Sequence, residues 1–214
     1  MARTAIAAAA MILLAGCGQK ANDVKNALNA AQAVASGAVE EGLAEAEKLQ
    51  KERVASGDTL AMPYQELQKY LPAEINGYTA AGQPEGNSQS MPGFSMSQVR
   101  QEWTGPAASD GSTPQVDVTL VDFGGTQQGY AMMAAPIMMG FRQEDSHQKT
   151  GSVKLDIPFT GGWEEFNKDT KDAKFTAVTR YRYVITVEAR NQTEDHSSMV
   201  KSMAEEIAKK FEGK

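Results

Sequence analysis

Several stretches of this chain have residue types and spacings suited to chemistry. "DFGGTQQGY", Asp122 to Tyr130, sets glycines between an apolar strand pattern and a polar segment, where phosphate-binding loops sit. A P-loop needs Lys and then Ser or Thr after its last glycine, and here Tyr130 and Ala131 follow Gly129. The reading left is a tight turn entering a capped helix. "MMAAPIMMGF" carries Met132, Met133, Met138 and Met139, and thioethers select soft ions such as Cu(I). Adjacent residues on a helix point about 100° apart, so four methionines at this spacing do not converge on one ion. Core packing, or a flexible apolar surface for a ligand or partner, uses methionine equally well. His147 and His196 are the only histidines. Glu144, Asp145 and His147 resemble half of a metal site, but no second imidazole lies near them. His196 adjoins Ser197 and Ser198, neither of which sits in a G-x-S-x-G elbow. "NKDTKDAK", Asn167 to Lys174, lacks the spacing and glycine of a calcium loop and reads as a hairpin turn. No catalytic constellation emerges, and neither a metal nor a cofactor is expected.

Cys17 is the only cysteine, which rules out a disulfide within the chain. Before it come Arg3, the sole charge ahead of Lys20, and eleven apolar or small residues from Ala5 to Ala15. As a helix that run is about 16 Å long against a hydrocarbon core of about 30 Å, too short to span comfortably. Charge, apolar run and small residues are the three parts of a secretory signal. Leu14, Ala15, Gly16 and Cys17 spell "LAGC", which resembles the lipobox of bacterial lipoproteins. The resemblance implies a diacylglycerol on the Cys17 sulfur, cleavage of residues 1–16 as a signal peptide, and acylation of the new amino terminus. Each buried methylene contributes about 0.8 kcal/mol, so two or three chains anchor stably without a spanning helix. Gly18 follows the cysteine where an aspartate would favour the inner membrane. By the same resemblance, the outer membrane's periplasmic face is expected in a Gram-negative host.

The formal net charge of −6 becomes −7 once Arg3 leaves with the signal. With no basic run, the chain lacks the electrostatic footprint of a nucleic-acid binder.

The elements that must position these residues fall into two parts. Residues 17–57 form an Ala-rich stalk with Val24, Leu28, Ala31, Ala35, Val39, Leu43, Ala46 and Leu49 at about the helical period. A narrow alanine stripe supports only a weak coiled coil. The stalk is therefore a spacer, a self-associating or partner-binding helix through residues 20–56, or a helix folded back onto the domain. "SGDTLAMP" breaks it, and Pro63 opens a short helix.

Residues 58–214 form the globular domain. Strand patterns run over 94–104, over "QVDVTLVDF", through Val153, Leu155 and Ile157, and over "WEEFN". The longest alternates Tyr181, Tyr183, Ile185, Val187 and Ala189 with polar neighbours, and "FTAV" before it pairs with it as a hairpin lacking a Gly or Asn turn. Thr126 caps a helix that Pro136 ends, and Met199, Met203, Ile207 and Phe211 line a final helix capped by Asp195 or Thr193. The expected class is α+β, an antiparallel β-sheet with helices packed on one face after the helical stalk.

The expected function is a non-enzymatic, lipid-anchored binding or scaffolding module of the cell envelope. The alternative is a carrier of an apolar small molecule or lipid, lined by the Met-rich helix with Phe123, Trp103 and Trp163. A hydrolase or a Cu(I)-binding protein is a more distant reading.

Overall fold

The computed structural model describes residues 38–109, 111–124 and 140–212. Cys17 and the signal expected before it therefore lie outside the described residues. So do Met132, Met133, Met138 and Met139 and the helix expected after Thr126.

Helix α1 (Ala38–Ser56) comes first, then α2 (Tyr64–Leu67), which tightens into a 3-10 turn over Gln68–Tyr70. Nine strands follow among the described residues: β1 (Thr79–Ala80), β2 (Glu85–Met91), β3 (Phe94–Thr104), β4 (Gln115–Asp122), β5 (Arg142–Glu144), β6 (Gln148–Lys154), β7 (Thr160–Asn167), β8 (Ala173–Thr179) and β9 (Tyr183–Arg190). Helix α3 (Ser197–Lys209) closes the chain. All pairings are antiparallel in the order β1-β3-β4-β9-β8-β7-β6-β5, with β2 also on β3. This is an α+β fold.

The alternation in each strand decides its faces, because successive side chains point to opposite sides of the sheet. Val116, Val118 and Leu120 of β4 stand opposite Ala189, Val187 and Ile185 of β9. Ala173, Phe175 and Ala177 of β8 continue the same rows. Over them lies α3, whose four-residue apolar recurrence buries Val200, Ala204, Ile207 and Ala208. The Phe211 ring stacks between Tyr70 at 4.2 Å and Tyr183 at 4.3 Å, offset-stacking distances that add to simple burial. Leu67, Leu71 and Ile75 extend this layer over Val99 and Trp103. The N-cap of α3 is His196, without a side-chain cap bond, rather than either expected residue; Asp195, one position before it, accepts the Ser197 N–H at 2.7 Å.

The opposite face is polar across most of its width. Thr119, Thr186 and Thr176 run in register across β4, β9 and β8, and Asp117, Glu188 and Lys174 form the next row. At one end Val121, Val178 and Val184 make a small apolar patch with Phe123 and Tyr181, and Ala46 of α1 is buried against it. The described part of the stalk thus folds back onto the domain, on the face α3 does not cover. An alanine suffices there because it lets the helix backbone approach a valine surface closely. Gly57, at φ +78°, ends α1 with the paired bonds Asp58 N–H to Arg53 C=O and Gly57 N–H to Val54 C=O. That is a Schellman stop, which turns the chain sharply back to the sheet.

Three details depart from the sequence pattern. Tyr181 leaves its alternating set and becomes a turn residue. Leu155 and Ile157 lie just past β6, both buried in the main core as loop residues. Strand β2 carries no apolar alternation at all, so the period of two does not announce it.

Candidate functional site

The densest polar cluster surrounds Arg182. The β8–β9 hairpin turns through Arg180 and Tyr181, at φ +53° and +52°. Two non-glycine residues in the left-handed region cost of order 1–3 kcal/mol each, and such positions persist only where the surroundings over-determine them. Here the surroundings come from distant chain segments. Arg53 of α1 donates to the Arg180 carbonyl, and Arg180 donates to the Glu212 carbonyl at 2.9 Å. The Tyr181 hydroxyl bonds Glu45 of α1 at 3.0 Å.

Behind the turn, Arg182 makes a two-pronged contact with Asp122, Nε to Oδ1 at 2.7 Å and Nη2 to Oδ2 at 2.9 Å. Its Nη1 reaches Asp58 at 2.6 Å, and Nη2 also meets the Leu60 carbonyl at 3.0 Å. Asp122 further accepts the backbone N–H groups of Met62 and Gly124, each at 2.7 Å. Gly124 holds φ +56°, and a Cβ there would stand 2.7 Å from the Ala61 nitrogen, so the 58–62 strap passes directly over it.

The Asp122 side chain is fully buried and that of Arg182 is 5% exposed. Burial works against the guanidinium charge, but the Asp122 hydrogen bonds and charge, with Tyr183 and Asp58, hold its pKa above the usual arginine range. Burial, opposed by Arg182, pushes the Tyr183 phenol up to about 12, and burial with the Glu45 bond pushes Tyr181 up to about 12. With four donors on two oxygens, Asp122 has its acceptor capacity filled. It is a clasp between strap and sheet.

A second cluster lies on the polar face. Asp117 accepts Arg100 Nε at 2.6 Å and also bonds Arg190. Next to it is a hollow of about 390 Å³ whose walls include Thr150, Glu165, Lys174, Asp172 and Glu188. Lys174 and Glu165 pair across it at 2.8 Å. Two lysines, Lys149 and Lys174, face three carboxylates, Glu165, Asp172 and Glu188, around it.

Of the stretches singled out from sequence, 144–147 and 167–174 come together at one end of the sheet, and the other described ones lie apart. Glu144 pairs with Lys168 at 2.8 Å, and Asp145 accepts the N–H groups of His147 and Gln148 at 2.8 Å each. Those hydrogen bonds lower both carboxyls below their ordinary values, Glu144 through Lys168 and Asp145 through the backbone. His147 bonds Asp169 at 2.9 Å across the same end of the sheet. Among the described residues, no group of three or more His, Cys, Asp or Glu is placed to hold a metal. His196 turns its Nδ1 to the Glu194 carbonyl at 3.0 Å, before α3. "NKDTKDAK" is the β7–β8 turn, with Asn167 accepting the Asp169 and Thr170 N–H groups.

The three expected lining aromatics do not meet. Trp103 is buried in the main core, Phe123 packs on the small patch of the opposite face, and Trp163 stacks on Phe141 at 6.0 Å. The Arg182 clasp has no local sequence signal: Arg182 lies 60 residues from Asp122 and 124 from Asp58, joined only by the fold. The one hint was a hairpin turn without glycine or asparagine.

No family model matches the chain, and no curated protein matches it. The chain is similar to a crystal structure of the extracellular domain of PknH from Mycobacterium tuberculosis, with 11% identity, a TM-score of 0.45, and coverage of 73% of this chain and 100% of that one. Among the described residues, no helix is long and apolar enough to cross a membrane.

Proposed function

We propose that this chain is a lipid-anchored protein of the cell envelope whose α+β domain is a non-enzymatic binding module, held to the membrane through acylated Cys17. The observation that carries the reading is the way α1 meets the sheet. Glu45, Arg53 and the adjoining Asp58 fasten to Tyr181, Arg180 and Arg182, so the segment that follows the anchor enters a defined contact with the hairpin. The described end of the stalk is thereby fixed against the β8–β9 hairpin. The filled acceptors of Asp122 and the arginine-neutralised Asp117 fit a scaffold better than an acid–base centre. In a Gram-negative host, Gly18 favours the periplasmic face of the outer membrane.

Intact-mass analysis of protein purified from its native host tests the anchor. An acylated chain beginning at Cys17 is the expected result, and a free thiol or a retained segment 1–16 overturns it. Crosslinking in intact envelopes then tests the module, with a specific protein adduct expected and an uncrosslinked population counting against it.

A second reading, carriage of an apolar molecule, draws on Phe123 and Val121, which lie on the apolar patch immediately before the segment bearing Met132, Met133, Met138 and Met139. Native mass spectrometry of the full chain separates the two readings: a co-purifying lipid favours carriage, and clean apoprotein removes it.

A further inference from the structure

Strand β2 ends one side of the sheet in an unusual way. Its sequence is Glu-Gly-Asn-Ser-Gln-Ser-Met, and all seven residues are exposed. The β2–β3 hairpin turns at Pro92–Gly93, so Met91 and Phe94 form its closing bonded pair. Bonded and non-bonded pairs alternate in an antiparallel ladder, which places the bonds to β3 on Gln89, Asn87 and Glu85 as well. The N–H and C=O groups of Gly86, Ser88 and Ser90 therefore point away from the sheet. Among the described residues, no strand pairs with that side.

Exposed edges in monomers are usually guarded by short length, lysine or proline on the edge, an inward-pointing charge or a bulge. At the far end of this sheet β5 follows the rule, with three residues, two of them Arg142 and Glu144. Strand β2 follows none of it. It is seven residues long with continuous register and a single charge, Glu85.

We propose that β2 is a pairing edge for a second copy of this chain, in an antiparallel seam with its two-fold axis at Ser88. The outward groups at Gly86, Ser88 and Ser90 are symmetric about that residue. In this register Ser88 meets Ser88, Gly86 meets Ser90, Asn87 meets Gln89, and Glu85 meets Met91. Amides both donate and accept, so the Asn87–Gln89 pairs are self-complementary, while the Ser88 hydroxyl stays with the Tyr64 N–H and Ser97 and the meeting at Ser88 rests on main-chain bonds. No two charges of one sign stand opposite, although the chain carries −6 overall.

The flank of the edge supports the same occupant. A hollow of about 320 Å³ lies beside β2, lined in part by Leu60, Pro63, Tyr64, Ser88 and Ser90, and Leu60 is 63% exposed. Gly86 sits beneath the Tyr64 ring, where a Cβ would come within 2.5 Å of the ring. In the two-fold seam Gly86 of one copy faces Ser90 of the other, so each Tyr64 ring closes over the second copy's hollow.

The test uses the full chain in detergent, with sedimentation velocity over a wide concentration range. A reversible dimer is expected. The double variant Asn87→Lys with Gln89→Lys creates two like-charged pairs in the seam and should weaken association about tenfold or more. So should Asn87→Glu with Gln89→Glu, while an equimolar mixture of the two variants should recover a heterodimer. Both positions are exposed, so thermal melts of the variants should match the parent. A chain that stays monomeric throughout overturns the proposal, whether or not a foreign extended peptide is found on β2. Dimers that ignore these substitutions overturn it as well, because association then runs through another surface such as residues 20–56.

Discussion

The two faces of this sheet solve different problems with the same strands. One face is dry: rows of Val, Ile, Leu and Phe pack under α3, and the single charge in the rows of β4, β8 and β9 is Asp122, buried at the end of β4 opposite Tyr183. The other face pairs arginines with aspartates, lines up threonines, and keeps only a small apolar patch for α1. The difference teaches where stability and orientation are separately encoded. The α3 face holds the fold together by burial, whereas the α1 face fixes an attachment through a few directed bonds. Because burial is proportional to area and directed bonds are not, substitutions on the two faces should differ in kind as well as size.

The largest effect is expected from Phe211→Ala. It removes a ring stacked between Tyr70 and Tyr183 and should cost about 3–5 kcal/mol in urea unfolding. A loss under about 1 kcal/mol would mean that α3 contributes less than its burial indicates. Asp122→Ala comes next. Breaking a buried pair costs about 3–5 kcal/mol, and the lower end is expected because Asp58 still faces Arg182. The double variant Asp122→Leu with Arg182→Met should recover part of that loss.

On the polar face, Asp117→Asn should cost only about 1–2 kcal/mol. Arg100 and Arg190 are 47% and 37% exposed and return to water once released. A loss as large as that of Asp122 would erase the distinction between the faces. Tyr181→Phe tests the α1 contact and should cost at most about 1 kcal/mol at neutral pH. Its clearer signature is alkaline. Tyr181 and Tyr183 hold their protons more tightly when folded, so their contribution is intact below the ordinary tyrosine value of 10.0 and lost as pH rises toward about 12. Urea midpoints measured across that window should fall, and fall less in Tyr181→Phe. The smallest effect is expected from Thr186→Val, within about 0.5 kcal/mol, since its row lies on the side α3 leaves uncovered.

How far the sequence carried depends on which residues spoke for each element. Strands β3, β4 and β9 announced themselves through Val99, Trp103, Val116 to Leu120 and Ile185 to Ala189, because a half-buried strand must alternate. Helix α3 did the same at its own period. Strand β2 was silent: its energetics rest on main-chain bonds and a glycine beneath Tyr64, neither of which leaves an apolar pattern. The return of α1 to the sheet was only one of three readings, since a single alanine against Val178 and Val184 looks the same in sequence as an idle stripe. Arg182 was legible as an alternating polar residue of the last strand, but not as the partner of Asp58 and Asp122. Charge pairs that far apart in the chain are decided by topology, after the strands have found their places.

The left-handed turn at Arg180 and Tyr181 has a consequence for the order in which the molecule assembles. A hairpin with a glycine–asparagine corner can zip from its tip, but this tip is held by atoms contributed near residues 45, 53 and 212. Closing it early costs local strain without return, so the last two strands cannot serve as a nucleus by themselves. Strand β4 must wait for β9, about seventy residues downstream, and α1 waits longer still. A ribosome making this chain therefore releases nearly all of it before the sheet can close.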